Sequence, residues 1–549
     1  MRFYDRSATK NAENMFHVLN SSEGPCRMRM RVEKICLSQC KRGIRKTGSK
    51  LKLNDSTATS ETNKPSVAPC TTTMLDTDDF TKEKGADLEC GFQPGEQLVA
   101  LFMCSIISPF SVKKGELLIG RNNFYFKEDI ALKPRETFLF VSGISADLGS
   151  WSRDTSQLPF WCNACIQEVH NRRYLLQHNA LEIFLTNGTT LLIAFQTTPT
   201  RDEARDVIIT QHLPNFIDYS DSAQGSIAKM SFTAMWLKGS ISNFEYLMHL
   251  NKLAGRSFND LTQYPVMPFI LRDYESDELD LNDPKTFRDL SKPMGAQDPD
   301  RLAKFLTKYE DLAELDQEPY FYGSHYSNVG SVLHFLVRLE PFTQLFLELQ
   351  GGVFDFADRT FFSLKQTWML SSQISTSDVK ELIPEFFYLP EFLENVNECD
   401  FGQKQNGDMV DKVILPPWAK GSARRFIYLH RKALESPYVS QHLHTWIDLI
   451  FGCKQTGEAA IKAYNLFFPE SYEGSFDIEK LDDPIQREAK WGMVRSFGQT
   501  PKKLLQRPHV VMQAAQQQRV AQSFDDILWE RTTSSPVYSL NVFNSTDVV

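Results

Sequence analysis

Hydrophobic and polar positions change their period along the chain, and each change predicts a different kind of element. Between residues 92 and 216 the apolar residues come in short runs broken by turn signals. Leu98 to Ile107 is a run of strand length and predicts a buried strand. Gly115-Glu-Leu-Leu-Ile-Gly120, then Arg121-Asn-Asn123, then Phe124-Tyr-Phe126 predicts a hairpin around an Asn turn. Tyr174-Leu-Leu176, Ala180 to Leu185, the Asn187-Gly188 turn and Leu191 to Phe195 predict a second strand series. Arg201 to Gln211 predicts one closing helix. Many short strands followed by a helix predict a small β-sandwich or barrel.

From residue 236 to 510 the pattern becomes helical and rich in loops. Ser242 with Glu245 three positions later is a capping box ahead of Phe244, Leu247 and Met248, and Gly255 can end that helix. Ser436 can cap a helix with Pro437 in its first turn. Leu443, Trp446, Ile447 and Ile450 then fall on one face, and Gly452 stops it. Asp483-Pro484 starts a further helix that Gly498 can end. Between these lies Glu381 to Leu393, where Pro384 and Pro390 forbid one regular helix. A core here must be built partly from extended chain packed by aromatics.

The flanks read differently. Residues 1 to 91 read as a basic, Ser/Thr-rich flexible region, 217 to 235 as a linker, and 511 to 549 as a disordered polar tail. Arg27 to Lys52 holds ten Lys/Arg and one acid. Arg27, Arg29 and Arg31 alternate with Met28, Met30 and Val32, a strand period that predicts a solvated edge with one basic face. An acidic-lipid or acidic-protein contact is the alternative, with Arg27, Arg29, Arg31, Lys41 and Arg42 as the lipid-contact candidates.

Composition changes this picture only at the margins. The 549 residues are 42% hydrophobic and 23% charged, near a globular average. A net charge of −9 argues against a generic nucleic-acid binder. Of the 40 Phe, most fall in the two patterned stretches, so those stretches fold. Ten irregularly spaced Cys fit a reducing cytosol, and the expected localisation is cytoplasmic.

Candidate chemistry is thin. Phosphate-loop, dinucleotide and zinc-protease motifs do not occur. Cys162-Asn-Ala-Cys165 is a lone pair, where a structural zinc needs four ligands. His325, Ser327 and an acid such as Asp355 could form a hydrolytic relay, but a turn satisfying its own backbone is the simpler reading. Glu381 and Glu385 could be proton-transfer acids or polar anchors for irregular chain. No enzyme activity, metal or cofactor is expected.

Several segments carry a family resemblance. Ile241 to Asp260, Tyr264-Pro-Val-Met-Pro-Phe-Ile270, Tyr322-Gly-Ser-His-Tyr-Ser-Asn328, Asp378 to Leu393, Leu415-Pro-Pro-Trp-Ala419 and Trp446 to Gly452 resemble the BEACH family over residues 236 to 510. Val169 to Leu185 with Asn187-Gly188 resembles the PH-like domain that precedes BEACH, over 92 to 216. Within the family the lysosomal-trafficking-regulator type is most similar, then neurobeachin-like proteins. The resemblance implies an α+β multidomain fold. A PH-like β-sandwich or barrel with a C-terminal helix would precede a mostly helical BEACH domain whose core holds irregular extended segments. It implies a non-enzymatic scaffold or adaptor in vesicle and lysosome-related traffic, with trafficking proteins as partners and a PH-like/BEACH contact within the chain. Groove candidates are Glu168, Arg172 and Arg173 on the PH-like side and Lys380 and Glu381 on the BEACH side. Peripheral membrane binding through the PH-like domain and the basic segment is the alternative. Family members carry His where Phe362 stands, which excludes a catalytic His there. They also carry a WD-repeat propeller, for which residues 511 to 549 are too few.

Overall fold

A computed structural model describes residues 15–24, 27–29, 32–36, 91–129, 158–219, 231–475 and 483–512. Lys41, Arg42 and Arg31 lie outside these residues.

The strands form where apolar residues alternate or run together. A two-stranded ribbon pairs β1 (Met15–Leu19) with β2 (Val32–Cys36). Seven further strands make one antiparallel sheet. They are β3 (Leu98–Ser108), β4 (Ser111–Gly120), β5 (Asn123–Glu128), β6 (Phe160–Cys162), β7 (Ile166–Tyr174), β8 (Gln177–Leu185) and β9 (Thr190–Phe195). Their order is β6-β5-β4-β3-β9-β8-β7. The sheet curls into a half-barrel, and α1 (Thr198–Ile209) packs across β8, β9 and β3. Ala204 and Ile208 of α1 close a core of Phe102, Leu117, Ile119, Phe124, Leu181, Ile183 and Ile193. The expected hairpin and strand series are present. One detail differs: Leu175 and Leu176 form the β7–β8 turn, at φ 51° and 61°, rather than a strand. Burial of Leu175 and a bond from the Leu176 amide to Gln499 Oε1 (3.2 Å) hold this strained turn.

The second body is helical. Its helices include α2 (Asn243–Leu253), α3 (Pro299–Glu314), α4 (Val329–Leu336), α5 (Phe342–Leu349), α6 (Leu364–Met369), α7 (Ala423–Leu434), α8 (Pro437–Ile450), α9 (Glu458–Lys462) and α10 (Pro484–Phe497). Ser242 and Glu245 close the predicted capping box on α2. Ser436 caps α8, with Pro437 inside its first turn, and Asp483 caps α10. Residues 381–393 hold only two short 3-10 turns, Pro384–Phe387 and Pro390–Leu393, as their prolines require. Backbone that lacks a regular ladder still needs partners. Buried side chains supply them. Asn251 Nδ2 donates to the Leu247 and Val266 carbonyls (both 2.9 Å), and its Oδ1 accepts from Val266 N (2.8 Å). Arg338 donates to the Phe361 carbonyl (2.6 Å) and the Asp411 carbonyl (2.7 Å). Among the described residues no helix is long and apolar enough to cross a membrane.

The leading segment corrects the sequence reading. Residues 15–29 were expected at the periphery, yet Val18, Leu19, Arg27, Met28 and Arg29 are all buried. Leu19 and Met28 join the same core cluster as the helical body. Arg27 sits in a turn at φ 62°, so the predicted strand alternation does not start there, and the described strand β2 begins at Val32.

Candidate functional site

Strand β7 presents every second side chain to the helical body. Glu168, His170 and Arg172 therefore share one face, and Glu182 lies opposite His170 on β8. That face is buried by residues around the C-terminus of α2. Lys252 Nζ, in the last turn of α2, donates to Glu168 Oε1 (2.9 Å). His170 Nε2 donates to Glu168 Oε2 (2.6 Å). Arg172 Nε donates to Glu182 Oε2 (2.6 Å), and Ser257 Oγ of the helical body donates to Glu182 Oε1 (2.5 Å). Each buried acid is thus held by one partner from each body.

Arg173 breaks the alternation, because the β7–β8 register shifts between Arg172 and Tyr174. It too is buried, and its guanidinium spans the seam. Its Nη1 donates to Glu473 Oε2 (2.9 Å) and its Nη2 to the Thr500 carbonyl (2.9 Å). Gln263 Nε2 returns a bond to the Arg173 carbonyl (2.9 Å).

Electrostatics follow from this packing. Burial pushes the Glu168 carboxyl up, but the His170 hydrogen bond and the Lys252 charge outweigh it and hold it at about 2. Burial lowers His170 to about 4, so it is neutral at neutral pH. The seam is a charge-paired network, buried at Glu168, Lys252, Arg172 and Glu182 and opening toward solvent at Glu473, and its members are positioning groups.

Of the groove candidates, Glu168 and Arg173 reach across the seam, and Arg172 reaches it through Glu182. Lys380 and Glu381 do not lie there. Glu381 is inside the helical body, accepting from Phe269 N (3.0 Å), Arg288 Nη1 (2.7 Å) and Trp446 Nε1 (3.0 Å). It anchors irregular chain. Lys380 pairs with Asp378 and lines an open cleft of about 490 Å³ with Asn328, Ser331, His334, Arg359 and Phe362.

Two lipid candidates are likewise corrected. Arg27 Nε donates to Glu23 Oε2 (2.7 Å), and Arg29 Nη2 donates to Glu385 Oε1 (2.7 Å) and to the Tyr264 hydroxyl. Both guanidinium groups face inward, where buried acids draw them, and neither can meet a lipid surface. Glu385, pushed up by burial and drawn back by Arg29, is an ion-pair partner. His325 and Ser327 do not form a relay. His325 Nδ1 lies 3.0 Å from the Ser327 carbonyl oxygen, and its Nε2 lies 3.3 Å from Thr500 Oγ1. Asp355 pairs with Arg359 instead (3.7 Å).

Sequence reasoning missed Lys252, Ser257, Gln263, Glu473, Gln499 and Thr500. A lysine in a last helical turn reads as a solvated C-terminal charge. Only β7 carried a signal, its alternating Glu-x-His-x-Arg on a strand with two sides to bury.

Comparison with known proteins agrees with this two-body organisation. The PH domain associated with Beige/BEACH matches residues 104–209, and the Beige/BEACH domain matches residues 234–512. The human Lysosomal-trafficking regulator is 48% identical over 419 residues, covering 74% of this chain and 10% of that protein. Beige protein homolog 1 of Saccharomyces cerevisiae is 40% identical over 506 residues, covering 82% of this chain and 23% of its own length. Mouse WD repeat- and FYVE domain-containing protein 4 is 42% identical over 441 residues, covering 76% and 14%. The chain thus spans less than a quarter of the length of each of these relatives. The BEACH-type segments, the half-barrel docked on the helical body and these matches together place the chain in the Beige/BEACH family.

Proposed function

We propose that the PH-like/BEACH unit is a non-enzymatic scaffold in vesicle and lysosome-related traffic, presenting one composite surface to trafficking proteins on the cytoplasmic side of endosomal or lysosomal membranes. The observation that carries this reading is the paired, buried seam. A half-barrel held to the helical body by Glu168–Lys252 and Arg173–Glu473 cannot swing freely, so a partner meets both bodies in one fixed arrangement. The printed name of the human relative, a lysosomal-trafficking regulator, supports the setting.

The test compares the full chain with Arg173→Glu, which faces Glu473 with a like charge. Proteins retained from a membrane-traffic extract are compared between the two, with both melting transitions checked first. A partner lost from the variant supports a composite surface; identical retention overturns it. The lipid-adaptor alternative predicts salt-sensitive flotation with anionic liposomes. It must now rest on Arg31, Lys41 and Arg42, because Arg27 and Arg29 are turned inward.

A further inference from the structure

We infer that residues 15–24 and 27–29 are a ligand held in cis: the PH-like/BEACH junction is a receptor for an extended, arginine-bearing segment, and this chain fills it with its own upstream residues. Neither family match includes them, since those begin at residues 104 and 234.

The segment is bound as a peptide is bound in a groove. Val18 pairs in parallel with Glu340, and Leu19 N donates to the Glu340 carbonyl (3.0 Å). Asn397 clamps the backbone of His17 from both sides, accepting from its amide (2.7 Å) and donating to its carbonyl (3.0 Å). Main-chain bonds of this kind give affinity, and side-chain pockets give selectivity. The path then crosses to the half-barrel. Glu23 N donates to the Gly188 carbonyl (2.9 Å). Gly188 is at φ 83°, and a Cβ there would meet the Glu23 carbonyl oxygen at 2.3 Å, so the β8–β9 turn must be glycine for the segment to lie against it. Arg27 Nη1 returns to the helical body through the Arg256 carbonyl (3.3 Å). The segment therefore touches both bodies alternately.

The pocket for Arg29 shows what the receptor selects. Its floor is the Glu385 carboxylate, with 0% side-chain exposure, and Arg29 supplies its ion pair. The hydroxyls of Tyr264 (2.8 Å) and Tyr388 (3.1 Å) donate to the same Oε1. Its walls are aromatic: the guanidinium carbon lies 4.2 Å from the Phe258 ring centroid and 5.8 Å from that of Phe342. A planar cation that stacks and still donates fits this box, which favours arginine over lysine. Without it, Glu385 is a buried charge lacking its counter-ion.

The experiment uses the full chain with a protease recognition sequence placed within residues 37–90. After cleavage, the upstream fragment should stay with the body on size-exclusion chromatography at micromolar concentration. Melting transitions of the cleaved samples are read first, so a body that fails to fold is recognised. Arg29→Ala should weaken retention by about a hundredfold, the scale of leaving a buried charge unpaired. Arg29→Lys should fall between it and wild type. Arg27→Ala, which keeps Glu385 paired, should weaken it less. A synthetic peptide of residues 13–36 should displace the cleaved fragment. Separation of the wild-type fragment, or equal retention of the Arg29→Ala and wild-type fragments, would overturn the inference.

Discussion

The half-barrel and the BEACH body solve the same backbone problem in opposite ways. In the half-barrel the strand ladder pairs amides and carbonyls, so its interior can be wholly apolar, as the cluster around Leu117 and Ile193 is. In the BEACH body the chain between helices has no ladder. Asn251, Arg338 and Glu381 are buried there to take the bonds a ladder would have taken. A regular core tolerates loss of one apolar group by partial collapse. An irregular core held by polar anchors has no such latitude, because each anchor serves several groups at once. Four measurements test this contrast.

Acid should produce the largest difference. Burial lowers His430 to about 4 and His334 to about 3 in the BEACH body, and His170 to about 4 at the seam. The unfolded chain takes up these protons near 6.5, while the folded one holds off until about 4 or below. Their contribution is therefore complete above pH 6.5 and is lost as pH falls through 4, on the order of 3 kcal/mol for each histidine. Glu168, held at about 2, adds a loss in the same direction below about 4.5. Hydrogen exchange followed from pH 7 to pH 4 should show residues 236–512 opening before β3 to β9. Simultaneous opening would break the comparison.

Glu381→Ala should come next, at about 3–5 kcal/mol by chemical denaturation, because it strands the Arg288 guanidinium at 0% side-chain exposure. Leu117→Ala in the half-barrel should cost about 3 kcal/mol, at the lower end of that range, with only a cavity left behind. If Leu117→Ala proves the costlier of the two, polar anchors matter less than proposed here. Ser242→Ala should cost only about 1 kcal/mol, the value of one helix cap, read as a small shift in melting temperature.

Legibility differed in the same way between the two bodies. The hairpin around Asn122 and Asn123, the Asn187-Gly188 turn and the closing helix were readable, because local turn chemistry and strand period specify them. The caps of α2, α8 and α10 were readable for the same reason. The turn at Leu175-Leu176 was not, since two leucines at positive φ contradict local preference and are held by distant Gln499. Glu381 was named as a groove residue because its spacing shows a charge and no address. Only folding reveals that Arg288, from 93 positions away, is its partner. Arg27 and Arg29 misled most: basic alternation reads as a solvated face, whereas Arg27 turns inward onto nearby Glu23 and Arg29 onto Glu385, 356 positions away.

The sequence by itself determined the two bodies, their order, the capped helices and the proline-broken stretch, all of which follow from residues a few positions apart. Tertiary structure alone decided which charges are interior. The Glu168–Lys252 pair joins residues 84 apart, and Arg29–Glu385 joins residues 356 apart. A charge is buried only when its partners, a counter-charge as for Arg29 or converging carbonyls as for Arg338, arrive with it, because its desolvation cost is offset only by groups in contact. That arrival is a property of the assembled chain, and it set Arg27 and Arg29, two basic residues that looked exposed, inside the junction between two domains.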